Sequence, residues 1–129
     1  MADHTPPWRC AATELLARYR SGTLTPRAAL DSCLTRLAQV QPTLNAFVAL
    51  REDAARAEAD ASGERWRVGK ECGLLDGVPL ALKDNLPSAD LPTTWGCTAL
   101  AEHRPAHGEL AVARARAAGA IVVGKTNVP

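Results

Sequence analysis

The sequence has few aromatic rings: one Tyr, one Phe and three Trp, or 4% of 129 residues. A core with so few rings must close on small side chains, and the 25 alanines supply them. Lysine is also scarce. Lys70, Lys83 and Lys125 stand against twelve arginines, so each lysine can be weighed on its own. Neither sign of charge is in excess, since the formal net charge is +1. That removes the concentrated basic surface a nucleic-acid partner needs, and the electrostatic case for an anionic membrane. No apolar run approaches the roughly 20 residues of a membrane span. Met1 to Pro7 has neither a basic region nor an apolar one, so no signal peptide is expected. Cys10, Cys33, Cys72 and Cys97 contain no C-x-x-C pair, which excludes the usual metal and redox spacings. Isolated cysteines point to a reducing, cytoplasmic setting.

What is present reads as an α/β chain, helical first and sheet-forming later. Residues 1–8 are expected to form a flexible arm and residues 9–67 to be mainly helical. Leu15, Leu16 and Tyr19 share a helical face that Ser21-Gly22 closes. Thr25-Pro26 opens a second helix, with Thr25 as N-cap and Pro26 in its first turn. Its stripe is Ala29, Leu30, Cys33, Leu34, Leu37 and Val40, and Pro42 is expected to end it. Residues 46–50 are a short strand candidate. Residues 51–67 read as a third helix with a thin apolar face, hence a solvated surface element.

The character changes between Gly63 and Gly73. Leu74 to Gly77 is a turn, and Val78-Pro79-Leu80-Ala81-Leu82 is a continuous apolar run, the mark of a strand buried on both faces. Residues 86–107 are loop-like. A helix over 108–118 and a buried strand over 120–123 follow, with 124–129 turning off its end. Strand, loop, helix and strand form the grammar of a parallel sheet. Two strands cannot complete one, so the chain reads as the opening of a larger domain.

Five candidates carry chemistry. Gly119 to Thr126 spells G-x-x-x-x-G-K-[ST], but a helix precedes it and strand formers fill it, so it is not a phosphate cradle. Lys83 ends an apolar strand, where α/β sheets place ligands, and a desolvated amine there is a general base; alternatively it is a surface lysine paired with Asp84. His103 and His107 have helical metal spacing but enclose Pro105 and lack a third ligand. Asp84 either orients a site or caps the next turn. Thr93-Thr94-Trp95-Gly96-Cys97 either lines a pocket or packs a loop.

Together, Asp76-Gly77-Val78-Pro79-Leu80-Ala81-Leu82-Lys83-Asp84-Asn85, Leu91-Pro92-Thr93-Thr94-Trp95-Gly96 and Ala118 to Pro129 resemble the amidase signature family of serine hydrolases. The resemblance runs from about Gly73 to Pro129, so 73–129 would begin the signature core of a single amidase domain. It implies a mixed, helix-covered sheet of which these are the first strands. It also implies hydrolysis of a small carboxamide through an acyl-serine, using a serine, cis-serine and lysine triad. Lys83 falls on the family's catalytic lysine, the base that deprotonates the bridging serine. No cofactor and no metal are implied. The partners implied are a small amide substrate and the remaining C-terminal portion, with a homo-oligomer left open.

The chain departs from the family pattern in places. The triad serines belong to a Gly-Ser-rich loop beyond the Lys-Thr-Asn turn, and Ser21, Ser32, Ser62 and Ser88 have no such context. Residues 1–129 are therefore expected to be inactive alone. Cys97 stands where the family often has Ser, and Asp90 where Gly is usual. Gly108-Glu109 replaces a common Asp-Ala pair. Val128-Pro129 resembles the stand-alone amidases, which ranks the glutaminase subunit of tRNA-dependent amidotransferases second. The reading from another class is a non-catalytic fragment that completes a partner's sheet.

Overall fold

The computed structural model describes residues 5–129. Helix α1 (Ala12–Arg20) is followed by α2 (Pro26–Leu44), β1 (Phe47–Leu50), α3 (Glu52–Arg67), β2 (Pro79–Lys83), α4 (Leu110–Ala117) and β3 (Ile121–Thr126). The strands form one mixed sheet in the order β1-β3-β2, with β1 antiparallel and β2 parallel to β3.

Thr25 caps α2 as the sequence requires: its hydroxyl accepts the Ala28 N–H at 3.1 Å, and Pro26 opens the helix. The helix does not stop at Pro42. It continues to Leu44 and ends at Asn45, which is left-handed at φ 45°. A proline in the last turn removes only its own N–H from the ladder. Gln41 then clamps the turn into β1. Its side-chain oxygen accepts the Ala46 and Phe47 N–H groups, and its amide donates to the Phe47 carbonyl.

The thin face of α3 is a packing seam rather than a solvated surface. Ala55 and Ala59 are fully buried and pack with Leu30, Leu34, Ile121 and Val123. Alanine at the contact lets α3 approach α2 and the sheet closely. On the other face of the sheet, Leu82, Leu91, Val112 and Val122 form a second cluster.

One strand expectation changes. Within the described residues β2 pairs with β3, and Leu82 is its one buried residue. β3 is the doubly buried strand, and it runs through Gly124, Lys125 and Thr126 instead of turning at Gly124. Glycine is needed at 124 because a Cβ there would sit 2.2 Å from the Ala49 carbonyl oxygen of β1.

Part of the expected N-terminal arm is seated on α2. Pro7–Arg9 is a 3-10 turn, and the Trp8 N–H donates to Ser32 while Arg36 stacks on the Trp8 ring. Residues 1–4 of that arm lie outside the described residues. Among the described residues, no helix is long and apolar enough to cross a membrane.

Candidate active site

The parallel strands β2 and β3 end side by side, with Lys83 in register with Thr126. Ligands of α/β sheets sit beyond such carboxyl ends. Lys83 ends β2, and within the described residues its side chain is exposed. Ala81, two residues earlier on the same strand face, is exposed as well.

The desolvated amine is Lys125. It is fully buried, the largest side chain to be so among the described residues. Its Nζ donates to the Leu86 carbonyl at 2.7 Å and to Thr93 Oγ1 at 2.9 Å, and lies 3.5 Å from an Asp84 carboxylate oxygen. Burial pulls the Lys125 amine below the ordinary lysine range, and Asp84 and Asp90 pull the other way. The sequence held a clue, a lysine inside a strongly apolar strand.

Asp84 is likewise fully buried. It pairs with Lys125, not with its neighbour Lys83. The Thr94 N–H donates to both Asp84 carboxylate oxygens, at 3.2 and 3.3 Å, and the Thr94 hydroxyl donates to one of them. The Asp84 main chain is held as well, its N–H by the Thr126 carbonyl at 2.8 Å and its carbonyl by the Trp95 N–H at 3.2 Å. The Asp84 carboxylate thus ties down the loop that carries Thr94, ten residues on, rather than capping the turn directly after it.

That loop is Thr93 to Cys97. Thr93 and Thr94 turn inward to the Lys125–Asp84 pair. Trp95 takes a left-handed backbone at φ 49° and stacks its exposed ring on His103, with 5.7 Å between centroids. Cys97 is exposed and lines a groove with Val48, Thr94, Gly96 and Asn127. His103 and His107 are both exposed. The described residues contain no group of three or more side chains suited to a metal.

Asp90 sits beside this loop in an ion cluster. Arg116 lies at 2.8 Å and Arg51 at 3.0 Å, and the Ser88 hydroxyl also donates to it. Burial pushes the Asp90 carboxyl up, but Ser88, Arg116 and Arg51 more than offset this and hold it below its usual range. The charge that replaces the family's usual glycine is therefore matched by two arginines.

Each of the four serines has a hydrogen-bond partner of its own. Ser21 bonds the Arg18 carbonyl, Ser32 accepts from Trp8, Ser62 donates to Asp76 and Ser88 donates to Asp90.

A family model described as Amidase matches residues 28–129. The chain belongs to the amidase family. It is 40% identical over 115 residues to a glutamyl-tRNA(Gln) amidotransferase subunit of Chloroflexus aurantiacus, covering 89% of this chain and 24% of that protein. Among solved structures it is similar to the native peptide amidase of Stenotrophomonas maltophilia, with TM-score 0.86 and 36% identity over 93% of this chain and 25% of that one. A fatty acid amide hydrolase shares the fold at TM-score 0.88 and 21% identity, covering 100% of this chain and 23% of that one. The chain thus spans about a quarter of the length of the relatives it matches. The amidase-fold neighbours account for the unfinished sheet, since its three strands are part of a larger one.

Proposed function

We propose that the chain contributes the base-bearing part of an amidase that hydrolyses a small carboxamide, with Lys83 as its catalytic base. The observation that carries this is the position of Lys83. It ends β2, next to the end of a parallel strand, on a loop held by a fully buried Asp84. An amine there can take a proton from a bridging serine, which in turn takes one from the nucleophilic serine. The nucleophile attacks the amide carbon, ammonia or an amine leaves, and water releases the carboxylate from the acyl-serine. Both serines come from outside residues 1–129 on this reading, because none of the four within them stands in a Gly-Ser-rich loop. Residues 1–129 alone are therefore inactive on this reading, and the working site is in the cytoplasm.

The test is ammonia or amine release from carboxamides by the intact protein. Lys83→Ala is expected to lower kcat/KM by about a thousandfold. A Lys83→Ala protein with unchanged turnover would sink the assignment. Amide turnover by residues 1–129 alone, abolished by Lys83→Ala, would overturn the dependence on outside serines.

A second reading, the glutaminase subunit of a tRNA-dependent amidotransferase, is favoured by the 40% identity to the Chloroflexus aurantiacus protein. The same assay separates the two. Glutamine as the preferred substrate supports the amidotransferase reading, and peptide or simple amides support a stand-alone amidase.

A further inference from the structure

Lys125 and Asp84 present a puzzle of energetics. Both side chains are fully buried, and taking two charges out of water costs as much as, or more than, their attraction returns. A pair of apolar residues would fill the same space without that cost. The pair's contacts suggest what it is for. Lys125 reaches the Leu86 carbonyl, the Thr93 hydroxyl and the Asp84 carboxylate, three points on the chain that leaves β2. Asp84 passes the constraint on to Thr94, whose N–H and hydroxyl it accepts. The Thr126 carbonyl and the Trp95 N–H hold the Asp84 main chain directly after Lys83.

The strand itself is bent to allow this. Leu80 pairs with Val122 and Ala81 with Gly124, so β3 carries one extra residue at Val123. A bulge reverses the alternation of side chains beyond it. Val122 faces the Leu82 cluster, and after the bulge Lys125 returns to that same side, under the loop. In a regular strand, position 125 lies three residues beyond Val122 and would point toward α2 and α3.

We propose that Lys125, acting through Asp84, is the positioning residue that fixes the end of β2 and so sets where the Lys83 amine stands. This rests on the reading of Lys83 as the base. Lys83 has a flexible four-carbon stem and, among the described residues, no side-chain hydrogen bond or ion pair, so its main-chain anchor decides the region its amine can reach. A misplacement of about 1 Å in a reacting group costs on the order of a hundredfold in rate.

The test uses the intact protein with Lys125→Met, Asp84→Asn and the double variant. Lys125→Met is expected to lower kcat about a hundredfold while KM changes by less than about threefold. If Lys125 acts through Asp84, the double variant is no worse than the poorer single one. Thr93→Val keeps both charges and removes one tether; it is expected to lower kcat about tenfold, and it serves if Lys125→Met does not melt cooperatively. Folded variants with kcat within about twofold of the parent, a loss in KM alone, or additive losses in the double variant would each overturn the proposal. In those cases Lys83→Ala would still be inactive, and the amidase reading would stand. A fully active Lys83→Ala protein would take both down.

Discussion

β2 has a fully buried aspartate at each end, and the two are held in opposite ways. Asp76, just before the strand, accepts Arg65 through two nitrogens at 2.8 and 2.6 Å, the Ser62 hydroxyl at 2.6 Å and the Cys72 N–H at 2.9 Å. Asp84, just after it, accepts Thr94 and faces Lys125 at 3.5 Å. The difference lies in the cations. The Arg65 side chain is 34% exposed and reaches water, whereas Lys125 is at 0%. The first clasp joins α3 to the turn before the strand and keeps part of its charge solvated. The second removes both charges from water, and it does so at the end of the sheet where the chemistry is proposed. A fold that needed only a staple had a cheaper design within the same chain, which is the reason to look for a positioning role in the costlier one.

The comparison breaks most visibly when each carboxylate is removed. Asp84→Ala strands a buried ammonium and is expected to cost about 4 kcal/mol. Asp76→Ala lets Arg65 turn to solvent, and with Ser62 and Cys72 left unpaired it is expected to cost about 3 kcal/mol. Urea unfolding of the two variants measures both values. Equal losses, or a larger one for Asp76, would remove the distinction.

pH sharpens it next. Burial alone would raise the Asp76 carboxyl, but Arg65, Ser62 and the Cys72 N–H outweigh it and hold the group at about 2. A carboxyl depressed on folding stabilises the native state above its unfolded value. That contribution, about 2 kcal/mol, is lost as pH falls from about 4 toward 2. Unfolding free energies across that window should drop in the parent and drop less in Asp76→Asn. The same slope in both would show that Asp76 is not the group responsible.

The smallest effect belongs to Thr94→Val. It removes a hydroxyl donor from Asp84 but leaves the Thr94 N–H in place, and about 1 kcal/mol is expected from thermal or urea unfolding. No loss would mean that the main-chain donor alone satisfies the carboxylate.

Local chemistry was legible wherever one segment decided the outcome. The start of α2 follows from Thr25 and Pro26, and its buried face follows from Ala29, Leu30 and Leu34. The order strand, helix, strand over β2, α4 and β3 follows from apolar runs and glycine stops. The Gly77 to Asp84 spelling carried the family, and residues 28–129 match it. Pro42 misled because a helix stop depends on which hydrogen bonds remain, and Gln41 and Asn45 supply the ending two residues later. The Asp76 clasp could not be read at all, since its partners lie 11 and 14 residues away on α3.

By itself, then, the sequence determined the helices, the strands, the family and the residue at the end of β2, because each of these is written in contiguous residues. Only the tertiary structure decided that Lys125 loses its water. It lies on the central strand of the described sheet, beyond a bulge and under the loop that carries Thr93. Burial is set by what packs on a residue from elsewhere in the chain, and no spacing within a segment encodes that.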